Sequence, residues 1–169
     1  MTGYEIAGYL SQSYLKSRLI YVSIGIVIML GFSLLYSRKR KEKPKKRKEK
    51  EAHTKTLQTY LAIVVLLGIA VALSIPKIIS CWQDNRQHSF LCVEGTYERD
   101  FVASFNKHPI TITDDTGEVF SLYVAVGYPA EDTLIPELPA KEAFPEGTFK
   151  ARVYYGEHSG LAFYMEVIE

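Results

Sequence analysis

From Leu19 to Tyr36 the chain reads LIYVSIGIVIMLGFSLLY, and from Leu57 to Ile75 it reads LQTYLAIVVLLGIAVALSI, two stretches without a charged side chain. A helix crossing the hydrocarbon core of a bilayer needs about 20 such residues. The two stretches therefore predict transmembrane helices at 19–36 and 57–80. Pro76 is expected to end or kink the second, because proline lacks an N–H and clashes with the preceding turn. Lys77 and Trp82 suit the interface beyond it. No charged residue lies within either stretch, 19–36 or 57–75, and intramembrane charges are what mark ion and proton pathways, so transport is not expected. Gly68 and Ala72 have the small-residue spacing that lets helices approach closely, and the region 25–31 of the first span is the expected partner.

Between the spans runs RKRKEKPKKRKEKEAHTK, Arg38 to Lys55, with eleven basic and three acidic side chains. A short loop of this charge stays cytoplasmic, which places both termini on the other side. The expectation is a two-pass protein of a bacterial-type plasma (inner) membrane with extracytoplasmic N- and C-termini. Arg38, Lys39, Arg40, Lys41, Lys45, Lys46, Arg47 and Lys48 are the residues expected to fix this topology. They would also attract anionic membrane lipid, at about 1 kcal/mol per basic side chain. The loop, residues 37–56, otherwise reads as solvated and largely unstructured. It carries no interleaved aromatics, so nucleic acid is not an expected partner. Ahead of the first span, residues 1–18 lack the charged leader and cleavage site of a removable signal, and the span is expected to remain as an anchor. Ile6, Tyr9, Leu10 and Tyr14 recur there at helical spacing, which predicts a short helix lying in the membrane interface.

Residues 81–169 carry six basic and fifteen acidic side chains. This acidic part, long enough for one small domain, would repel a phosphate backbone. Cys81 and Cys92 lie on the side assigned as oxidising. A disulfide between them would contribute about 2 to 3 kcal/mol in the chain-entropy model, and two free thiols are the alternative. His88 between them does not make a zinc site, because a fourth ligand is missing.

From Ser89 the apolar period changes to two. Leu91, Val93, Gly95 and Tyr97 alternate in a first strand, with the glycine marking a bend or bulge. ITITDDTGEVFSLYVAV reads as two strands joined by a tight turn at Asp114–Gly117, with Phe120, Leu122, Val124 and Val126 on one face. Tyr128 to Glu146 holds four prolines and reads as a long connection with at most one or two helical turns. Two strands follow, with Phe149, Ala151, Val153 and Tyr155 inward in one and Leu161, Phe163, Met165 and Val167 inward in the other, joined by GEHSG.

Five strands with the long connection between the third and fourth is the order of a small Greek-key barrel, an SH3-like barrel or small β-sandwich being the alternatives. The run V-x-G in the first strand, I-T-I-x-D-x-x-G at the hairpin and G-T-F-K-A-R-V-Y-Y before the last strand resemble an OB-fold domain over residues 89–169. Membrane proteins of the NfeD class are similar in architecture, joining transmembrane helices to a small OB barrel. The resulting fold class is an α+β membrane protein: a transmembrane α-helical hairpin, then an acidic five-stranded OB-like β-barrel at 81–169.

Catalytic chemistry is not announced. Ser159 beside His158 sits in a turn, and adjacency in sequence is not triad geometry. Asp114, Asp115 and Glu118 lack the ligand spacing of a calcium loop and are explained by the turn. No cofactor or metal is expected, and no enzyme activity. Tyr123, Tyr154 and Tyr164 fall opposite the inward sets of their strands. They are expected to form an exposed aromatic patch that binds a protein, peptide or glycan, or else to cover a second buried face, the membrane or a twin subunit. The expected role is a membrane-anchored, non-enzymatic module that binds or scaffolds an envelope component. The alternatives are an accessory subunit of a membrane complex acting through the basic loop, and an envelope hydrolase. The expected partners are thus anionic lipid and a protein partner or homo-oligomer.

Overall fold

The computed structural model describes residues 1–42, 44, 47–99, 109–125, 144–145 and 147–168. Two helices precede five strands: α1 Gly3–Lys41, α2 Arg47–Gln87, β1 Phe90–Arg99, β2 Pro109–Asp114, β3 Val119–Val124, β4 Gly147–Gly156 and β5 Leu161–Val167. The chain divides into two compact units, Met1–Ser17 with Ile78–Glu169, and Arg18–Lys77.

α1 starts on a capping box. The Thr2 N–H donates to Glu5 Oε2 at 2.7 Å and the Glu5 N–H to Thr2 Oγ1 at 3.3 Å, satisfying two of the donors a helix start leaves over. Both helices are long and apolar enough to cross a membrane. Within Arg18–Lys77 they approach through small residues. A Cβ at Gly25 would touch Val71 and one at Gly68 would touch Met29, and Phe32 meets Tyr60 with ring centroids 5.8 Å apart. The expected close approach of Gly68 to the first span is therefore present.

Two features of the helices differ from expectation. α2 runs through Pro76 to Gln87, because the turns beyond the proline are held by tertiary contacts that offset the one lost hydrogen bond. The basic segment is mostly helical: α1 continues to Lys41 and α2 resumes at Arg47. Lys39 pairs with Glu42 at 2.6 Å at the end of α1, and His53 Nε2 of α2, 2.7 Å from the Lys39 carbonyl oxygen, ties the two helix ends together. Lys43, Lys45 and Lys46 lie outside the described residues.

The strands close into a barrel in the order β1–β2–β3–β5–β4, with β4 returning to β1. Every neighbouring pair is antiparallel except β3 with β5, which is parallel. β1 bridges the sheet, pairing with β4 along its length and with β2 through Gly95–Glu98. Gly95 sits where the two ladders meet, and a Cβ there would collide with the Thr113 carbonyl; glycine is required by the close backbone approach. The expected hairpin at Asp114–Gly117 is formed. Asp114 Oδ1 accepts from the Thr116 N–H (2.9 Å), the Thr116 hydroxyl (2.7 Å) and the Glu118 N–H (2.8 Å), while Gly117 takes a φ of 85°. The connections around 100–108 and 126–143 lie outside the described residues, as do the expected inward position of Val126 and most of the proline-rich segment.

The barrel interior is filled by Val93, Tyr97, Ile110, Ile112, Leu122, Phe144, Ala151, Val153, Ala162 and Met165. Tyr97 stacks on Phe149 with centroids 4.7 Å apart, and its hydroxyl donates to the Pro145 carbonyl at 2.8 Å. β5 departs from the expected alternation. Tyr154 pairs with Tyr164 and Tyr155 with Ala162, so Phe163 is an extra residue on β5. This bulge reverses the faces on its N-terminal side: Met165 and Ala162 point into the barrel, while Leu161 and Phe163 belong to a second core outside it. Val167, expected inward, is exposed.

Candidate functional site

The second core identifies the most elaborated surface of the barrel unit. It comprises Ala7 and Tyr14 from α1, Cys81 from α2, Ala125, and Tyr154, Leu161 and Phe163 from the β4–β5 wall. The buried face of the first helical turns is Gly3, Ala7, Ser11 and Tyr14, a stripe at helical spacing whose small members let the backbone lie against the sheet. The segment expected in the membrane interface therefore packs on protein, and of its expected stripe Ile6, Tyr9, Leu10 and Tyr14, Tyr14 is buried in this core and Leu10 packs against it. Three polar arrangements lie along this seam.

At one end Tyr4 meets Tyr154 edge-on, centroids 5.1 Å apart, and Tyr154 stacks on Tyr164 at 5.6 Å. A Cβ at Gly3 would overlap the Tyr154 ring. Tyr154 is 7% exposed, and its hydroxyl donates to Glu166 Oε2 at 3.4 Å. Desolvation, then the neighbouring Cys92 and Glu166, push the Tyr154 phenol up to about 12, since each disfavours the phenolate. Burial likewise raises the Cys92 thiol.

In the middle, Asn85 Nδ2 donates to Ser11 Oγ at 2.7 Å and to the Cys81 carbonyl at 2.8 Å, and Ser11 Oγ lies 3.3 Å from Cys81 Sγ. Ser11 and Cys81 are both fully buried. At the other end, the fully buried Asp84 accepts the backbone N–H of His158 (2.7 Å) and of Ser159 (3.1 Å) on separate oxygens, while His158 Nδ1 lies 3.0 Å from Oδ1. Acting as a donor, Nδ1 adds a third hydrogen bond to Asp84. The Ser159 hydroxyl accepts from the Leu161 N–H at 3.3 Å. A Cβ at Gly156 would collide with Asp84, so the turn must have glycine there. The arrangement clamps the β4–β5 turn onto the last turns of α2. Among the described residues no group of three His, Cys, Asp or Glu side chains has the spacing to hold a metal.

The expected aromatic patch is thus divided. Tyr154 and Tyr164 are brought together, but under the N-terminal helix, in the second buried face that was the alternative. Tyr123 stands apart on β3 at 48% exposure, in a row with the exposed Val119 and Ser121. The expected disulfide is not formed: Cys81 and Cys92 are free thiols, one turned to Ser11 and the other in β1 beside Tyr154. Arg38, Lys39, Arg40 and Lys41 occupy the last turn of α1, and Arg47 and Lys48 open α2. Sequence reasoning passed over Asp84, Ser11 and Asn85. The signal available was the spacing of Cys81, Asp84 and Asn85, which puts all three on one side of a helix if that helix outlasts Pro76.

Comparison with protein-family models, with curated proteins and with solved structures finds no match.

Proposed function

We propose that this chain is a two-pass membrane protein that holds an OB-type barrel outside a bacterial-type plasma membrane, where the barrel binds or scaffolds an envelope protein, peptide or glycan without catalysing a reaction. The observation that carries the reading is the composition of the barrel unit, Met1–Ser17 with Ile78–Glu169. Segments on either side of the two apolar stretches fold together, so they share a compartment. The density of basic residues between those stretches favours the cytoplasm for the turn and the exterior for the barrel. The OB reading is supported by the closed order β1–β2–β3–β5–β4 with its parallel β3–β5 pair. The uncharged row Val119, Ser121 and Tyr123, on a domain otherwise rich in carboxylates, is the surface best suited to a partner.

Single cysteines at Asp115 on the hairpin tip and at Lys50 in the basic segment test the orientation. With a membrane-impermeant maleimide on intact cells, D115C is expected to react and K50C only after permeabilisation; the opposite pattern overturns the reading. Photo-crosslinking residues at positions 119, 121 and 123 are expected to give a discrete adduct in intact cells, and none from any of the three removes the binding surface. The second reading, an accessory subunit acting through its basic turn, draws on the contacts of Lys39, Glu42 and His53 at the helix ends that flank that turn. It requires activity to fall when the turn is neutralised and orientation is kept.

A further inference from the structure

Within Arg18–Lys77 one face of α1 is left open. Gly25, Met29 and Phe32 are spent on α2. Beside them Ile28, Gly31, Leu34 and Leu35, together with Phe32, line an open groove of about 450 Å³ that ends at Arg38. Gly31 is what makes it a groove, since a Cβ there would meet nothing within 4 Å. Ile28 to Arg38 is ten residues of helix, roughly 15 Å of rise, and one leaflet of hydrocarbon is roughly half of a 30 Å core. The groove therefore has the length of a single acyl chain, an apolar lining along that length and one guanidinium at the end where the hydrocarbon stops.

We infer that this groove is a binding site for one anionic phospholipid, with an acyl chain along Ile28, Gly31 and Leu35 and the phosphate on Arg38. The inference rests on the membrane-spanning reading above. Charge complementarity decides the occupant. A second copy packed symmetrically through this face would set Arg38 against Arg38, whereas an anionic lipid meets Arg38 with the opposite sign and the surrounding basic run adds to the attraction. The guanidinium fork suits phosphate oxygens, which it can hold by two parallel hydrogen bonds.

The test uses the full chain in nanodiscs of phosphatidylcholine containing a minor share of phosphatidylglycerol, re-extracted in mild detergent and weighed by native mass spectrometry. The wild type is expected to retain one phosphatidylglycerol. Gly31→Leu, which fills the groove while raising helix propensity, and Arg38→Gln, which removes the charge, are each expected to lower that retention about fivefold. Arg40→Gln, in the same basic run but not lining the groove, is expected to lower it clearly less than Arg38→Gln does. Equal retention of phosphatidylcholine, an unaffected Gly31→Leu, or a loss in Arg40→Gln as large as in Arg38→Gln overturns the inference, because each reduces the effect to unselective attraction. If the chain leaves membranes in alkaline carbonate without detergent, it is the spanning reading that fails.

Discussion

Tyr154 keeps its hydroxyl between a thiol, a carboxylate and the underside of a helix, and its ionisation is correspondingly late. Its phenol is pushed up from 10.0 to about 12. A raised folded-state value means that the stabilisation is complete below pH 10 and is lost as pH rises through about 12, where the seam must accept a phenolate. Burial also raises Tyr97 and Tyr155, so ultraviolet titration is expected to reveal several late tyrosines, of which Tyr154→Phe removes one, and the variant should lose less stability over that interval. Cys92 and Cys81 predict unchanged electrophoretic mobility with and without reductant, with Cys81 reacting only on unfolding. Asp84 is a different kind of residue, because three N–H groups depend on it. Asp84→Ala orphans those donors at a cost of about 3 kcal/mol, and Asp84→Asn, which keeps one acceptor oxygen, costs less. Trp82, the sole tryptophan and two residues away, reports the loss by fluorescence during denaturant unfolding.

The strands were legible because alternation is a local property: Val93, Tyr97, Leu122, Ala151 and Val153 are buried where period two puts them. The bulge at Phe163 was not, since an inserted residue leaves the apolar sequence LAFYM compatible with either facing. The continuation of α2 past Pro76 was not legible for a related reason. The proline's local cost is real, but Ser11, seventy-four positions away from Asn85, decides whether the helix goes on. The helical spacing of the N-terminal segment was legible, but its contact with the barrel was not, because the β4–β5 wall it packs on lies far along the chain. Its close fit predicts that Gly3→Val, which sets a branched side chain into the Tyr154 ring, loosens the contact. Hydrogen exchange is expected to rise in residues 3–17 while β1 and β2 stay protected, and equal protection throughout would contradict the packing described.

For the molecule as a whole, charge is segregated: residues 38–55 are strongly basic and residues 81–169 strongly acidic, although the total is +1. That contrast was open to inspection, as was the pair of spans. The site was not, because the groups that meet in it come from three distant places in the chain and only folding collects them. Replacing Arg38, Lys39, Arg40, Lys41, Lys48 and Lys50 with glutamine is expected to give a mixture of orientations, read from the maleimide accessibility of D115C; a single retained orientation would show that other determinants hold it. The discontinuous barrel unit carries one more consequence. In the two-pass reading proposed above, its two pieces can meet only if the intervening chain threads the bilayer an even number of times. A molecule with one span mis-inserted strands Ser11 and Asn85 in separate compartments and leaves the flank of the barrel bare to proteases. In that reading, completion of the seam would serve as a proofreading step, through which a folding event certifies that insertion went correctly.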